Sequence, residues 1–207
     1  QSEHARHWFF KGEINTEKDS LFDKIKSCYI PEKHKTSLIS FYDNASVVEG
    51  GMCNHLFINY NRKYEESVKK INFSYKAETH NFPTGISPFP GAATGSGGRI
   101  RDILCVGKGG QIVAGTAGYC VGEIPIVNPS GYQNDQYKWL PSTPQRILIE
   151  ASNGASDYGN KIGEPLIQGF TRSYRQDFLK INKNGIDKNM VNQNKRIEWL
   201  KPIMFSG

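Results

Sequence analysis

The stretch KAETHNFPTGISPFPGAATGSGGRIRD, residues 76–102, constrains the fold more than any other part of the chain. It is dense in glycine, proline and other small residues, a poor recipe for a hydrophobic core. A strand-like run, INFSYKA, leads into it, and the apolar-periodic run RIRDILCVG leads out. The pattern predicts a glycine-rich loop held between two regular elements, and such loops often hold phosphate. Gly95, Gly97 and Gly98 would let backbone amides approach an anion, with the partial positive charge of the following helix N-terminus behind them.

Two acids, Glu78 and Asp102, stand at opposite ends of this stretch. A chain reversal would bring both carboxylates to one Mg²⁺, a hard ion that takes one or two carboxylates together with phosphate and water oxygens. The plainer alternative is a tight turn with solvated acids, because the stretch is neither a Walker A loop nor a GxGxxG fingerprint. His80 lies between Glu78 and Asn81, beside that expected metal and phosphate. His4 and His7 are three apart on an expected short helix, SEHARHWFFKG, with Ser2 as its N-cap and Gly12 just past its end. HxxH on a helix can be half a zinc site, but no cysteine and no third ligand has the usual spacing.

A third group is ASNGASDYGNKIGEP, residues 151–165. Close packing accounts for Gly154, Gly159 and Gly163; the sharper reading makes Asp157, Asn160 and Lys161 substrate contacts.

Between these groups the chain alternates elements. A helix is expected at SLFDKIKSCYI, a strand around SLISFYD, a turn at Asp43-Asn44, and an irregular excursion at 50–70 before the strand INFSYKA. QIVAGTAGYCVG reads as a buried strand, and a long loop from Pro125 to Pro141 follows. Thr143-Pro144 supplies an N-cap and a proline at the first helical position for a helix through PQRILIEASNGASDYGNKIG. PLIQGFTRSY and RIEWLKPIMF are strand-like and flank an Asn/Lys-rich insertion at 182–196. The alternation predicts one α/β or α+β domain, residues 1–207, around a single sheet.

Composition narrows the partners. The net charge of +6 on 207 residues suits phosphorylated small molecules, and the richest basic stretch, KNGIDKNMVNQNKR, is nearly devoid of aromatics for base stacking, so nucleic acid is not expected. Cys28, Cys53, Cys105 and Cys120 form no CxxC pair, which points to free thiols in a reducing compartment. No apolar run approaches the roughly 20 residues that span a bilayer, and QSEHARH is no signal peptide, so the expectation is a cytoplasmic protein with no membrane partner.

SEHARHWFFKG, the 76–102 stretch, AGTAGYCVG, ASNGASDYGNKIGEPLIQGF and EWLKPIMFSG together resemble, in content and order, the formylglycinamide ribonucleotide amidotransferase (phosphoribosylformylglycinamidine synthase) family in its long, single-chain form. The resemblance implies a fold like the N-terminal domain of aminoimidazole ribonucleotide synthetase: a four-stranded sheet with helices on one face, whose edge pairs with a second sheet into a β-barrel. It implies an ATP-dependent ligase of purine biosynthesis: ATP phosphorylates the formamide oxygen of formylglycinamide ribonucleotide, and ammonia from a glutaminase domain then displaces phosphate. On that resemblance Glu78 and Asp102 match the Mg²⁺-ATP carboxylates, and His4 and His80 the active-site histidines. Arg101 and the Gly95–Gly98 segment match phosphate contacts.

The chain departs from the family at Ala5, where Cys or Ser is common, and at Phe82, where many members carry a second histidine. The insertion at 182–196 also exceeds the turn usual there. The resemblance further implies that the chain is a fragment, inactive alone, and completed by a second synthetase half or by self-association through its sheet edge. The competing reading is a non-catalytic nucleotide-binding or scaffolding module of the same fold.

Overall fold

The structure, a computed structural model, describes residues 21–42, 45–107, 109–124, 140–178, 181–182, 185–186 and 195–207. His4, His7, the turn at Asp43-Asn44, nearly all of the Pro125–Pro141 loop and much of the 182–196 insertion lie outside them. The chain divides into two compact units, Gln1–Tyr75 and Lys76–Gly207.

In the first unit a short helix, α1 (Leu21–Ser27), precedes a three-stranded sheet in the order β1 (Ser37–Ile39), β2 (Ala45–Ile58), β3 (Tyr64–Lys76). The irregular excursion expected at 50–70 is instead regular: those residues form most of β2 and β3. Only residues 59–63 separate the two strands, too short a link for anything but an antiparallel pair. Asn59 makes the turn. Its side-chain oxygen accepts from the backbone N–H of Asn61 at 2.9 Å and of Lys63 at 3.0 Å, and Arg62 takes a left-handed φ of 58°. The sequence hides this ribbon because its apolar and polar residues do not separate onto one buried face: Met52, Leu56, Val68 and Phe73 are all exposed.

The second unit is built on a four-stranded sheet in the order β4 (Glu78–Thr79), β11 (Ile203–Ser206), β5 (Gly115–Val121), β6 (Leu166–Ser173). β11 is antiparallel to both of its neighbours, and β5 runs parallel to β6. That parallel step is bridged by α4 (Pro144–Ile162), a βαβ crossover. Thr143 caps α4 by accepting from the N–H of Arg146, Pro144 opens it, and Gly163 at φ 78° closes it in the left-handed conformation.

The glycine-rich stretch is not a loop. After the short helix α2 (Asn81–Ile86), residues Pro88–Leu104 form α3, and Gly95, Gly97 and Gly98 lie inside it. Glycine costs a helix about 1 kcal/mol per residue relative to alanine, so packing must repay it. A Cβ on Gly95 would stand 2.8 Å from His80 Cβ and Met204 Sδ, and one on Gly97 would stand 2.6 Å from the Tyr158 ring. On α4, a Cβ at Gly154 would collide with the Phe89 carbonyl oxygen. The small residues are what let α3, α4 and β11 approach so closely.

The core follows from that approach. Ala92 of α3, Ala151 and Ala155 of α4, Ala117 and Tyr119 of β5 and Met204 of β11 bury against one another; Val121, Leu140 and Ile147 extend the layer. Both long helices therefore cover one face of the sheet, as the resemblance implied. On the other face the Phe170 ring lies over Gly118 and stacks on Phe205 with centroids 6.2 Å apart. β6 ends the sheet as an edge strand, exposed along its whole length.

Candidate functional site

The site forms where β4 meets β11 and α3. β4 pairs Glu78 with Ser206 and Thr79 with Phe205. Beyond it the pairing continues through other atoms: the His80 N–H donates to the Met204 carbonyl at 2.9 Å, and Asn81 Oδ1 accepts from the Met204 N–H at 2.9 Å. The chain then enters α2, with His80 in the N-cap position and its carbonyl accepting from the Thr84 N–H and hydroxyl.

His80 is fixed by this frame. Its Nδ1 lies 2.5 Å from the Gly91 carbonyl oxygen in the first turn of α3. A carbonyl can only accept, so Nδ1 carries a proton, and Nε2 is the ring nitrogen turned away from that bond.

Glu78 and Asp102 converge. They come from β4 and from the last turn of α3, and both bond one ammonium: Lys76 Nζ is 3.4 Å from Glu78 and 3.0 Å from Asp102. Lys76 and Glu78 are two apart in an extended segment, which puts both side chains on one side. The carboxylates are 34% and 46% exposed, whereas the lysine side chain is 6% exposed beneath them. Among the described residues no group of three or more His, Cys, Asp and Glu gathers to hold a metal. Two oxygen donors already converging on a cation do fit Mg²⁺, which fills its remaining positions with phosphate and water.

The expected anion cradle is corrected. The amides of Gly95, Gly97 and Gly98 lie beyond the first turn of α3, where each N–H is spent on a carbonyl four residues back, so they make no anion cradle. At Gly95 and Gly97 the lack of a side chain serves packing. Arg101 is exposed in the last turn of the same helix, next to Asp102. Asp157 and Lys161 pair with each other at 2.6 Å, one turn apart on an exposed side of α4, and exposed Asn160 offers its carbonyl to the capping N–H of Gly163. No hydrogen bond or ion pair links these three to Glu78, Asp102 or His80 among the described residues. A groove of about 290 Å³ lined by Tyr119, Leu148, Ile149, Ser152, Asn153 and Thr171 is likewise separate from the carboxylates.

Lys76, Asn81, Arg99 and Glu164 were missed from the sequence. Arg99, three residues before Asp102 on α3, is buried; its guanidinium takes both Glu164 oxygens at 2.5 and 2.6 Å and donates from Nε to Ser206 Oγ at 2.9 Å. Ser206 is the strand partner of Glu78, so this clamp ties the helix that carries Asp102 to the strand beside Glu78. The alternation Lys76–Ala77–Glu78 was the available signal for the lysine; Arg99, next to Gly97-Gly98 and two residues before Arg101, offered none for the clamp.

No family model matches the chain. Curated proteins do: it is 44% identical over 219 aligned positions to phosphoribosylformylglycinamidine synthase of Dictyostelium discoideum, and 41% identical to that of Homo sapiens. The probable phosphoribosylformylglycinamidine synthase of Caenorhabditis elegans is 42% identical. Each alignment covers 100% of this chain and 15% of the relative, so the chain spans about one seventh of the length of the proteins it matches. Among solved structures, PurLQS from Thermotoga maritima aligns over 83% of the chain and 20% of its own at 14% identity with a TM-score of 0.44. T. maritima PurL complexed with FGAR aligns over 83% of this chain and 16% of its own at 20% identity and TM-score 0.35. Along its whole length the chain is similar in sequence to one segment of the phosphoribosylformylglycinamidine synthases.

Proposed function

We propose that the chain forms the cation- and nucleotide-holding part of an ATP-dependent carbon–nitrogen ligase that converts formylglycinamide ribonucleotide to its amidine in purine biosynthesis. The observation that carries this reading is the convergence of Glu78 and Asp102 on one cation, two residues along the chain from an oriented His80, in a chain similar along its whole length to one segment of the synthases. The reaction transfers phosphate from ATP to the formamide oxygen, after which ammonia displaces that phosphate. Mg²⁺, when bound, neutralises the transferring phosphoryl group.

The residues divide the work. Glu78 and Asp102 supply hard oxygen ligands from two separate elements, and the clamp through Arg99 holds those elements in register. His80 offers Nε2 to the reacting amide, to accept a hydrogen bond or a proton while ammonia attacks. Arg101 lies exposed beside Asp102, in reach of substrate phosphate. His4 is the second active-site histidine. Ammonia comes from a glutaminase domain, and a second synthetase half, or another copy, pairs with the exposed edge β6. The setting is the cytoplasm; no helix among the described residues is long and apolar enough to cross a membrane.

The test is amidine formation from formylglycinamide ribonucleotide, ATP and free ammonium by a chain of the relatives' length carrying this sequence. Turnover should fall by about a hundredfold or more in Glu78→Gln and Asp102→Asn. Full activity in both variants, or no turnover by the unmodified chain that still binds nucleotide, would favour the non-catalytic module.

A further inference from the structure

The most buried charged side chain of the carboxylate group is its cation. Lys76 Nζ sits 3.0 Å from Asp102 and 3.4 Å from Glu78, and its side chain is 6% exposed while theirs are 34% and 46% exposed. Two carboxylates brought together repel, and an ammonium between them removes most of that repulsion and fixes their spacing. The lone pairs it occupies are those a divalent ion needs, since Mg²⁺ binds oxygen at about 2.0–2.1 Å and tolerates no ammonium among its ligands. The lysine is tethered two residues from Glu78 and cannot diffuse away.

Resting on the reading of Glu78 and Asp102 as cation ligands, we propose that Lys76 is a positioning residue that acts as a built-in counter-cation: it holds the two carboxylates together until a divalent ion displaces its ammonium. Binding is then an exchange of one cation for another. The lysine pre-forms the pair and also competes for it, so it raises the ion concentration at which the site fills. A purely structural salt bridge would hold the pair but would not yield it when the ion arrives.

The test is calorimetric titration of MgCl₂, without nucleotide, into the unmodified protein, Lys76→Met and Asp102→Asn, with melting temperatures recorded with and without Mg²⁺. Lys76→Met should bind Mg²⁺ about tenfold more tightly than the unmodified protein, because the competing charge is gone. It should melt lower without the ion and gain more from it. Lys76→Gln, which keeps a polar head but no charge, should move the same way and serves if the methionine variant does not fold. Binding by both lysine variants that is equal to or weaker than that of the unmodified protein, with binding lost in Asp102→Asn, would overturn the exchange and leave the ligand assignment standing. Equal binding in Asp102→Asn and the unmodified protein, or no binding by any of them, would overturn the assignment and the exchange with it.

Discussion

Arg99 and Glu164 meet as a buried, bidentate ion pair, 2.5 and 2.6 Å between their nitrogens and oxygens, with side chains 5% and 6% exposed. Gly115 makes room for it, since a Cβ there would stand 2.6 Å from the Glu164 carboxylate. The pair joins α3 to the start of the link between α4 and β6, and the third arginine bond reaches Ser206. Removing one partner strands the other charge in the interior. Glu164→Gln should therefore cost about 3–5 kcal/mol in chemical denaturation; a loss under 1 kcal/mol, the range of an exposed pair, would mean that water reaches the guanidinium.

Gly95 couples packing to the site. Alanine there places a methyl 2.8 Å from His80 Cβ and Met204 Sδ, so one of the two must move. Gly95→Ala should lower stability by about 1–3 kcal/mol and shift the His80 imidazole signals in NMR spectra. Gly98→Ala is the control, because nothing stands nearer to its Cβ than the Arg101 guanidinium at 3.9 Å. It should leave those signals in place and slightly stabilise the helix; equal shifts in both would discard the packing account.

Tyr119 and Cys120 give the fold an alkaline limit. Burial pushes both ionisations upward, and the nearby Arg172 only partly offsets this for the thiol. The unfolded chain thus releases these protons at lower pH than the folded one. Their contribution is complete below the ordinary thiol value of 9.0 and is lost as pH climbs through the raised folded values. Stability should fall above about pH 9, less steeply in Tyr119→Phe. Thiol labelling near neutrality should modify exposed Cys28, Cys53 and Cys105 quickly and Cys120 slowly.

For His80, the Nδ1–H bond to Gly91 leaves Nε2 for the proposed role. His80→Asn keeps a polar group but loses that geometry, so with saturating substrates and free ammonium it should lower kcat by about a hundredfold while changing KM little. A change confined to KM would make His80 a binding residue.

Much of the second unit was legible before its structure. Thr143-Pro144 opens α4 by cap chemistry that acts locally, and GTAGYCV reads as buried because it is small and β-branched; Gly163, expected to serve close packing, instead closes α4 in the left-handed conformation with nothing near its Cβ. The glycine-rich stretch was misread for a physical reason. Glycine lowers helix propensity wherever it stands, whereas the benefit that overrides it comes from His80, Met204 and Tyr158, distant or packed in ways no local pattern records. The convergence of Glu78 with Asp102 was anticipated, but the agent of reversal is a helix and not a loop. Lys76 was passed over as a site residue, despite its alternation with Glu78, because a lysine at a strand end ordinarily points to water.

The central claim is that Glu78 and Asp102 jointly hold the cation that accompanies nucleotide. The most direct measurement is ATP affinity by calorimetry at limiting and at saturating Mg²⁺, in the unmodified protein, Glu78→Gln, Asp102→Asn and the double variant, with Asp157→Asn as control. Each single change should weaken ATP binding at limiting Mg²⁺ by about tenfold or more, the double change should cost less than the sum of the two, and Asp157→Asn should bind as the unmodified protein does. Unaltered Mg²⁺-dependent ATP binding in Asp102→Asn, or a loss in Asp157→Asn as large as in Asp102→Asn, would contradict it.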